Sequence, residues 1–496
     1  MKLIKIISIT FLTLITQITT AQVPYHGKHI LYSTVSCDKE ICCNRQSQQV
    51  VTYCHKLVAS GIRHFFIVQD ISTNTTKQFF LDAYYTTGIA INPTTITIND
   101  MKITEQGECW FCGKKKVDMG GTYYPGIGWM SETNEYGIVG HFNIDSVLSS
   151  SGNGNYELFT IQGTGGLTRI EPRGIYEQIF IVGYPYECPI DENGNPTASC
   201  LVGLGYNYNN STWSYDIVHP TNIDEIFTDV VDASVGIVVV SRFRNDHYNI
   251  GLRHTKNGPL RENIYLSLLS NSNVFNMQFA ANYNTGDPVV WRNDADPIFL
   301  AADYNGAVLS MAHSCDNISH GIAAYKLSVP NMGDVQITKA KHISYSTYLA
   351  MLDCKANGAT QSTNFLVDDN SHNSYSLHMI DWSSPYALST IVSCSKNDYL
   401  WQSLALYNTS TYTFKYIAGR DPSNIPMFTE HINVPSPQSP TQCINWSHIL
   451  IQNITTPTPT DGNSVYLDSE YKNHLITPLI GNFTSTTVIK STQCTY

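Results

Sequence analysis

The chain has 496 residues, of which only 14% are charged, and its formal net charge is −11. Lys2 and Lys5 lie in an N-terminal segment that we expect to be removed, which leaves 27 basic against 40 acidic residues, or −13. This negative excess, with no basic run to offset it, disfavours nucleic acid and anionic lipid as partners.

The N-terminal sequence MKLIKIISITFLTLITQITTAQ has the three parts of a secretory signal. Lys2 and Lys5 precede an apolar stretch over residues 6–15, and Thr19 and Ala21 are the small residues that a signal peptidase requires. We predict a signal peptide over residues 1–21, cleaved after Ala21, and a secreted or periplasmic product; a retained anchor is the alternative. No later segment has eighteen uninterrupted apolar residues, so we predict no membrane span.

Thirteen cysteines in an exported chain indicate an oxidising compartment and some disulfides. Cys188 and Cys200 flank PIDENGNPTAS, whose Asn-Gly and Asn-Pro steps favour turns, so we expect these two to form a disulfide across a loop. A second stapled hairpin is predicted near the N-terminus, and the cysteines that suggest it are Cys37, Cys42, Cys43 and Cys54.

Six stretches of the chain repeat one design, in which a short apolar run is followed by a polar gap and a second apolar run. They are ECWFCGK with YGIVGHFNI, QIFIVGY with CLVGLGY, GIVVVSRF with YNIGLRH, GAVLSMAH with HGIAAYKL, YLAMLDC with TNFLVDD, and LSTIVSC with QSLALYN. Each run is short, rich in Val, Ile, Phe and Tyr, and bounded by turn formers, which is typical of β-strands. Helical periodicity is not convincing anywhere.

The repeats predict an all-β fold, a β-propeller of about seven blades with six or eight possible, in one domain over residues 22–496. Leu309, Ala350 and Ile391 follow one another at 41-residue intervals, the length of a four-stranded blade. With them, Trp110, Phe180 and Val239 are expected to mark equivalent middle strands. ITINDMKI and TNIDEIFTDVV are candidate inner strands. A β-sandwich or two smaller β-domains is the alternative.

A further unit is predicted to combine RHFFIVQD and KQFFLDAYY with a strand from the C-terminal stretch 464–496. Strands from both ends of the chain would then close the ring and remove the exposed edges that invite aggregation.

Two groups of possible ligands or nucleophiles have a structural interpretation beside the chemical one. Cys109 and Cys112 have redox or half-zinc spacing, but a strand that turns at Gly113 would place them on opposite faces. A hairpin turn contains His313, Cys315 and His320, which could meet on a metal or simply be polar turn residues. We expect no metal site and no cofactor.

Acidic residues in several predicted blades could supply the carboxylate pair of a glycoside hydrolase, or could be solvated strand edges. They are Asp224, Glu225, Asp229, Asp232, Asp294, Asp296, Asp368 and Asp369. The chain has no Asp-box turn, no Gly-x-Ser-x-Gly, no His-Glu-x-x-His and no phosphate-binding loop. No catalytic residue is therefore assigned.

The loop GGTYYPGIGW is the best candidate for recognition. Tyr123, Tyr124 and Trp129 offer flat apolar faces with polar edges, which suit a sugar ring or a protein surface; packing between blades is the alternative. We predict a monomer that binds a protein or glycan through loops on one face without catalysis. The alternative is a glycan-active hydrolase or lyase with acids converging at the channel.

The phrases INDMKITEQGECWFCGKK and EYGIVGHFNI resemble those of uncharacterised exported β-propeller-like repeat proteins of Bacteroidetes, over Ile98 to Ile144. The signal ending Thr-Ala-Gln is similar to signals of those bacteria. The resemblance implies export across a bacterial inner membrane, and it implies no reaction and no catalytic residue.

Overall fold

A computed structural model describes residues 26–495 with internal gaps. The gaps are 33–38, 46–48, 59–60, 71–72, 74, 82–94, 125–127, 150–153, 174–177, 193, 235, 245, 256–273, 281–297, 304–306, 316–319, 330–334, 346–347, 384–387, 398, 409–412, 421–422, 424–425, 433–444, 454–459, 462–466 and 488–489. The predicted signal peptide lies outside the described residues.

The described chain is almost entirely β-structure, with one short helix, α1 (Ile144–Ser149). The strands are β1 (His26–Tyr32), β2 (Lys39–Arg45), β3 (Gln49–Val58), β4 (Gly61–Asp70), β5 (Thr75–Leu81), β6 (Thr95–Ile103), β7 (Glu108–Tyr124), β8 (Gly128–Asn143), β9 (Asn155–Ile161), β10 (Thr164–Arg173), β11 (Gln178–Pro185), β12 (Cys200–Asn207), β13 (Thr212–Pro220), β14 (Glu225–Asp232), β15 (Ile237–Phe243), β16 (Asp246–Thr255), β17 (Val274–Ala280), β18 (Phe299–Ala302), β19 (Leu309–Cys315), β20 (His320–Ser328), β21 (Gln336–Tyr345), β22 (Ala350–Asn357), β23 (Ser362–Asp369), β24 (Ser374–Asp381), β25 (Leu388–Ser395), β26 (Leu400–Asn408), β27 (Thr413–Arg420), β28 (Pro426–Ile432), β29 (Asn445–Asn453), β30 (Thr460–Asp461), β31 (Leu467–Ile476), β32 (Leu479–Thr487) and β33 (Lys490–Thr495).

Within the described ranges the strands form seven groups of four neighbouring antiparallel strands. We call them blade 1 (β2–β5), blade 2 (β6–β9), blade 3 (β10–β13), blade 4 (β14–β17), blade 5 (β18–β21), blade 6 (β22–β25) and blade 7 (β26–β28 with β1). The first strand of each blade contacts the first strand of the next, and β26 contacts β2, so the first strands form a closed ring. The predicted all-β propeller fold is confirmed. Seven blades remains the predicted count, with which the described groups agree.

The last blade is completed by the N-terminal end of the chain. Strand β1 pairs with β28 over His26–Leu31 and supplies the fourth strand of blade 7. Its other edge pairs with β33, the last strand of the chain. Strands from both ends of the chain therefore take part in closing the ring, but they do so at blade 7 and not at the unit of β4 and β5 that the sequence predicted.

The C-terminal strands β29 to β33 add a further strand to the outer edge of every blade, and we call them the belt. In chain order the belt visits blades 6, 5, 4, 3, 2, 1 and 7. Strand β32 adds to β5, so RHFFIVQD (in β4) and KQFFL (in β5) do share a sheet with a C-terminal strand, as predicted. The remainder of the belt was not predicted.

Four of the six predicted middle strands are second strands of their blades: Trp110 lies in β7, Phe180 in β11, Val239 in β15 and Leu309 in β19. The other two assignments are wrong. Ala350 lies in the first strand of blade 6 and Ile391 in its fourth. An apolar run of strand length does not reveal its position in a blade, because every strand of a blade buries at least one face. The candidate inner strands before β7 and β15 are confirmed as β6 and β14.

Apolar side chains pack between adjacent blades rather than in one central core. The cluster between blades 1 and 2 is rich in aromatic side chains, and Phe66, Phe111, Phe142 and Tyr156 are all within its fully buried part. Middle strands are covered on both faces, so β15 is buried along its whole length. This is the reason that such strands read as continuous apolar runs.

The expected turn at Gly113 is not present. Gly113 lies within β7, opposite Ile98 of β6 and Ile138 of β8. A Cβ atom at this position would lie 1.9 Å from the carbonyl oxygen of Thr97. Glycine is required here because the backbone of β6 approaches closely, and the strand continues through it.

We expect Gly113→Ala to lower the free energy of unfolding by about 3 kcal/mol, because the β6 backbone must move to admit the methyl group. Gly194→Ala is the control, since Gly194 has a φ of +83° but an added Cβ meets nothing within 4 Å. The control should cost about 1 kcal/mol from backbone strain alone. Urea unfolding measures both, and equal losses would contradict the close approach.

Candidate functional site at the propeller axis

Five of the first strands carry a β-bulge at an equivalent position. The bulged residues are Asn99, Thr168, Thr228, Leu352 and Gln402. The residues that follow them are Asp100, Arg169, Asp229, Asp353 and Ser403. A bulge bends the strand and redirects the side chains that follow it, so the bulges set what the first strands present near the axis.

In blades 2, 4 and 6 the residue after the bulge is an aspartate that bonds to the next blade. Asp100 Oδ1 accepts from the N–H of Met101, and Oδ2 accepts from the N–H of Ile170 at 3.0 Å. Asp229 accepts in the same way from Val230 and from Leu300 at 2.7 Å.

Asp353 repeats the pattern with Cys354 and with Leu404 at 2.8 Å. These three carboxylates join the first strands of blades 2 to 3, 4 to 5, and 6 to 7. We call the bonds the aspartate locks.

Charged side chains from several blades meet around the locks. The ion pairs are Lys102 with Glu171 at 3.0 Å, Arg169 with Asp229 at 4.0 Å, Arg173 with Asp232 at 3.6 Å, and Lys355 with Asp353 at 3.0 Å. Lys355 in blade 6 also interacts electrostatically with Lys102 and Asp100 in blade 2. Because blades 2 and 6 are not neighbours in the ring, these charges meet near its axis. We call them the axial cluster.

Burial and charge oppose one another in this cluster. Burial raises the pKa of Glu171 to about 7, against the attraction of Lys102. Burial disfavours the charge of Lys102, but Glu171, Asp100 and Asp229 outweigh it and raise the lysine pKa. Burial also raises the pKa of Asp229. For Asp353, burial is outweighed by Lys355 and the Leu404 N–H, so its pKa is lowered.

Glu171 is therefore a buried carboxyl with a raised pKa that is paired with Lys102, whereas the aspartates of the locks accept from backbone N–H groups. The predicted acids Asp229 and Asp232 lie here, together with Asp100, Glu171 and Asp353, which were not predicted from the sequence. No local signal reveals them, because each comes from a different blade.

The other predicted acids have separate roles. Asp224 lies in the turn before β14, where its N–H donates to Asn222 Oδ1 at 3.0 Å and its carbonyl accepts from the N–H of Arg244 at 2.8 Å. Glu225 is buried with Arg253, which donates to it through Nε at 3.0 Å and Nη2, and Ser241 donates at 2.7 Å. Asp368 pairs with Lys396, and Asp369 accepts from Ser371 and His372. Asp294 and Asp296 lie outside the described residues.

A second group, which the sequence analysis missed, lies at the edge of the interface between blades 2 and 3. His141 donates from Nδ1 to Glu108 at 3.1 Å and from Nε2 to Glu157 at 3.3 Å, and its ring stacks on Trp110. Burial disfavours the imidazolium, but the two carboxylates outweigh it and raise the pKa of His141. His141 thus links strands β7, β8 and β9 through its contacts with the two carboxylates.

The three predicted recognition residues lie at the far end of one long hairpin. Tyr123 and Tyr124 are in β7, paired with Trp129 and Gly128 of β8. Their side chains lie outside the described residues. Strand β6 pairs with β7 as far as Lys116, and β9 pairs with β8 from Gly137. Residues 117–124 and 128–134 continue as a two-stranded ribbon beyond these paired parts, and we call them the distal ribbon.

The base of the distal ribbon is held by described side chains. Lys114 donates to both carboxylate oxygens of Glu135, at 3.1 and 3.0 Å. Tyr136 of β8 stacks on Tyr186, which follows β11, with ring centroids 5.5 Å apart. The ribbon therefore starts from a fixed position on blades 2 and 3.

The candidate cysteines and histidines lie within strands of blades 2 and 5. Cys109 packs between blades 1 and 2 and Cys112 between blades 2 and 3, so they face opposite sides as expected. His313 and Cys315 are buried in β19, with Sγ 3.9 Å from Nδ1, and His320 begins β20. Across the described ranges no three His, Cys, Asp or Glu side chains are arranged to hold a metal.

Cys188 and Cys200 are not joined by a disulfide in the structure. Cys188 Sγ accepts from the N–H of Ala198 at 3.3 Å, whereas Cys200 points into the cluster between blades 2 and 3. The turn residues do close the loop, with Asp191 accepting from Asn195 at 2.8 Å, but they place Ala198 opposite Cys188. Near the N-terminus β2 and β3 form a hairpin, and the side chains of Cys37, Cys42 and Cys43 lie outside the described residues.

No family model and no curated protein matches the chain. Solved structures with a similar arrangement include the β-propeller domain of the trilobed protease from Pyrococcus furiosus. It is 8% identical, and the match covers 80% of this chain and 100% of that chain with a TM-score of 0.41. The acylaminoacyl peptidase of Pyrococcus horikoshii is 8% identical, and the match covers 77% of this chain and 51% of that chain with a TM-score of 0.35. The polysaccharide lyase Uly1 is 8% identical, and the match covers 79% of this chain and 89% of that chain with a TM-score of 0.35.

At these identities and TM-scores the likeness carries no argument about activity, and the propeller assignment rests on the strand pairing. In the part of the chain that the structure describes, no helix is long and apolar enough to cross a membrane.

We expect Asp229→Ala to lower the free energy of unfolding by about 3 kcal/mol, because two buried N–H groups and Arg169 lose their acceptor. Asp229→Asn keeps one acceptor oxygen and should cost less. Glu192→Ala, at an exposed position, should change stability by under about 0.5 kcal/mol. Chemical unfolding measures all three, and an Asp229→Ala variant as stable as Glu192→Ala would contradict the aspartate locks.

Three buried histidines predict acid sensitivity. Burial lowers the pKa of His313 to about 4, of His342 to about 4 and of His378 to about 3, from 6.5. Below pH 6.5 the unfolded chain binds these protons and the folded chain does not, so their stabilisation is present above pH 6.5 and is lost as the pH falls towards 4. Each contributes a slope of about 1.4 kcal/mol per pH unit.

Urea unfolding at pH 7, 6 and 5 measures the summed slope, and His378→Gln should reduce it by about one histidine's share. An unchanged slope in that variant would contradict the buried neutral state of His378.

Proposed function

We propose that the protein is an exported, non-catalytic β-propeller that binds a protein or glycan through loops on one face of the ring. The distal ribbon is the observation that carries this proposal. A paired ribbon that extends past its blade costs backbone ordering and leaves edges exposed, so it is retained where it has a use at a surface.

The ribbon and the neighbouring loop of blade 3 share one face. Strand direction alternates within a blade, so connections between second and third strands lie at one end of the ring and connections between third and fourth strands at the other. The loop after β11 carries Ile190, whose side chain is 68% exposed, and Tyr186, which supports the ribbon. We call the distal ribbon, together with residues 186–192 and 194–199, the recognition surface.

The chemistry of this surface suits a partner rather than a reaction. Tyr123, Tyr124 and Trp129 supply planar groups with polar edges, and Ile190 adds an apolar contact. The aspartates at the axis are occupied by the locks, which leaves them unsuited to attack a substrate. Export to the periplasm or the cell exterior after cleavage near Ala21, as the resemblance to exported Bacteroidetes proteins implies, and a monomeric state complete the proposal.

The test uses the protein beginning at Gln22, screened on an array of neutral and acidic polysaccharides and against a displayed peptide library. The combined variant Tyr123→Ala/Trp129→Ala should weaken binding to the best probe at least about tenfold, the usual effect of removing aromatic anchors. The matched control is Tyr208→Ala, because Tyr208 is 54% exposed in a loop at the opposite end of the ring.

Equal affinities for the wild type, the combined variant and the control would contradict the recognition surface. Absence of binding to both probe sets would contradict the proposed function.

The alternative is a glycan-active hydrolase or lyase at the axis. It is favoured by Glu171, the carboxyl in the axial cluster whose pKa burial raises to about 7, in the range of a general acid or base. Release of reducing ends or unsaturated products from the same polysaccharides, abolished by Glu171→Gln with binding retained, would replace the binding proposal.

A further inference from the structure

We propose that the belt is a clasp: its strands open together, ahead of the blades, and its docking holds the ring closed. This inference does not depend on the recognition surface. The observations that carry it are the pairing of β29 and β32 with two blades each, the burial of one belt side chain between blades, and the position of β33.

Two belt strands each bridge a pair of blades. The first half of β29 pairs with β25 of blade 6, from Asn445↔Ser393 to Leu450↔Leu388, and its second half pairs with β21 of blade 5. Likewise Leu479–Asn482 of β32 pair with β9 of blade 2, and Phe483–Thr487 pair with β5 of blade 1. Each bridge joins two four-stranded blades into one nine-stranded sheet.

The bridge at β32 is anchored by a side chain. Phe483 is 1% exposed and packs among aromatic rings of blades 1 and 2, with centroids 5.8 Å from Phe79, 5.2 Å from Phe142 and 4.8 Å from Tyr156. Its N–H donates to the carbonyl of Gly154 at 2.7 Å. At Gly481 a Cβ atom would lie 2.2 Å from Cζ of Tyr156, so the belt backbone contacts that ring directly.

The last belt strand secures the point at which the ring closes. Strand β1 lies between β28 and β33, so the N-terminal strand of blade 7 is held on both edges. Between the bridges, β31 pairs with β13 along Trp213–Pro220. Because all belt strands are outermost additions, they can leave without disturbing the hydrogen bonds among the first strands. Among the belt side chains that the structure describes, Phe483 is the one that is fully buried, and an outer strand with so little buried side-chain surface is expected to open at lower free energy than the blades.

Amide hydrogen exchange of the mature chain, followed by mass spectrometry, tests the clasp. In the wild type under mild urea, peptides from β29 to β33 should exchange as one group, before peptides from the first strands β6, β10, β14 and β22. Phe483→Ala should speed exchange of the whole belt about a hundredfold while the first strands change little.

Phe365→Ala is the matched control, because Phe365 is fully buried between blades 5 and 6 in a cluster whose described members come from those two blades. It should speed exchange in blades 5 and 6 without a belt-wide effect. The clasp is overturned if Phe483→Ala affects residues 479–487 alone, or if it speeds exchange equally in the belt and the first strands. If Phe483→Ala does not fold, the wild-type experiment decides: a belt that exchanges only together with the first strands also overturns the proposal.

Discussion

Pairing of sheet edges is the constraint on which the rest of the structure depends. A blade of four strands has two edges with unpaired N–H and C=O groups, and seven such blades would present many sites for aggregation. The inner edges meet in a closed ring, β1 completes the outer part of blade 7, and the belt pairs with the outer edges. The two chain ends therefore complete a fold whose interior is built from local hairpins.

The aspartate locks solve the related problem at the centre. Where a bulge interrupts the ladder, backbone N–H groups would be left without acceptors, and a carboxylate satisfies one in its own strand and one in the next blade. Buried carboxylates need compensating charge, which Arg169 and Lys355 supply. The axis is thus a stabilised polar core. Glu171, whose pKa burial raises, adds a further carboxyl to this core and is paired with Lys102.

Local patterns predicted the features that depend on local chemistry. Branched and aromatic runs between turn formers predicted the strands, and strand alternation placed Cys109 and Cys112 on opposite faces. The same patterns could not determine the position of a strand within its blade, so Ala350 and Ile391 were wrongly assigned to middle strands. Gly113 was wrongly predicted to form a turn, whereas glycine is required there because the backbone of β6 approaches closely. For Cys188 and Cys200, turn chemistry indicated a loop but did not determine the pairing register.

Features built from distant segments gave no readable signal. The axial cluster takes up to three residues from each of four blades, and the bridge at His141 depends on the register of three strands. The sequences of the belt strands resemble those of the other strands, because the sequence of a short strand does not determine which sheet edge it pairs with. Their place follows from the whole ring, in which every outer edge needs a partner.

The most direct measurement is a crystal structure of the chain beginning at Gln22, read for the number of first strands around the axis and for the neighbours of residues 26–32. The account predicts seven first strands and an N-terminal strand lying between residues 426–432 and 490–495. A ring of six or eight first strands, or an N-terminal strand paired elsewhere, would contradict it.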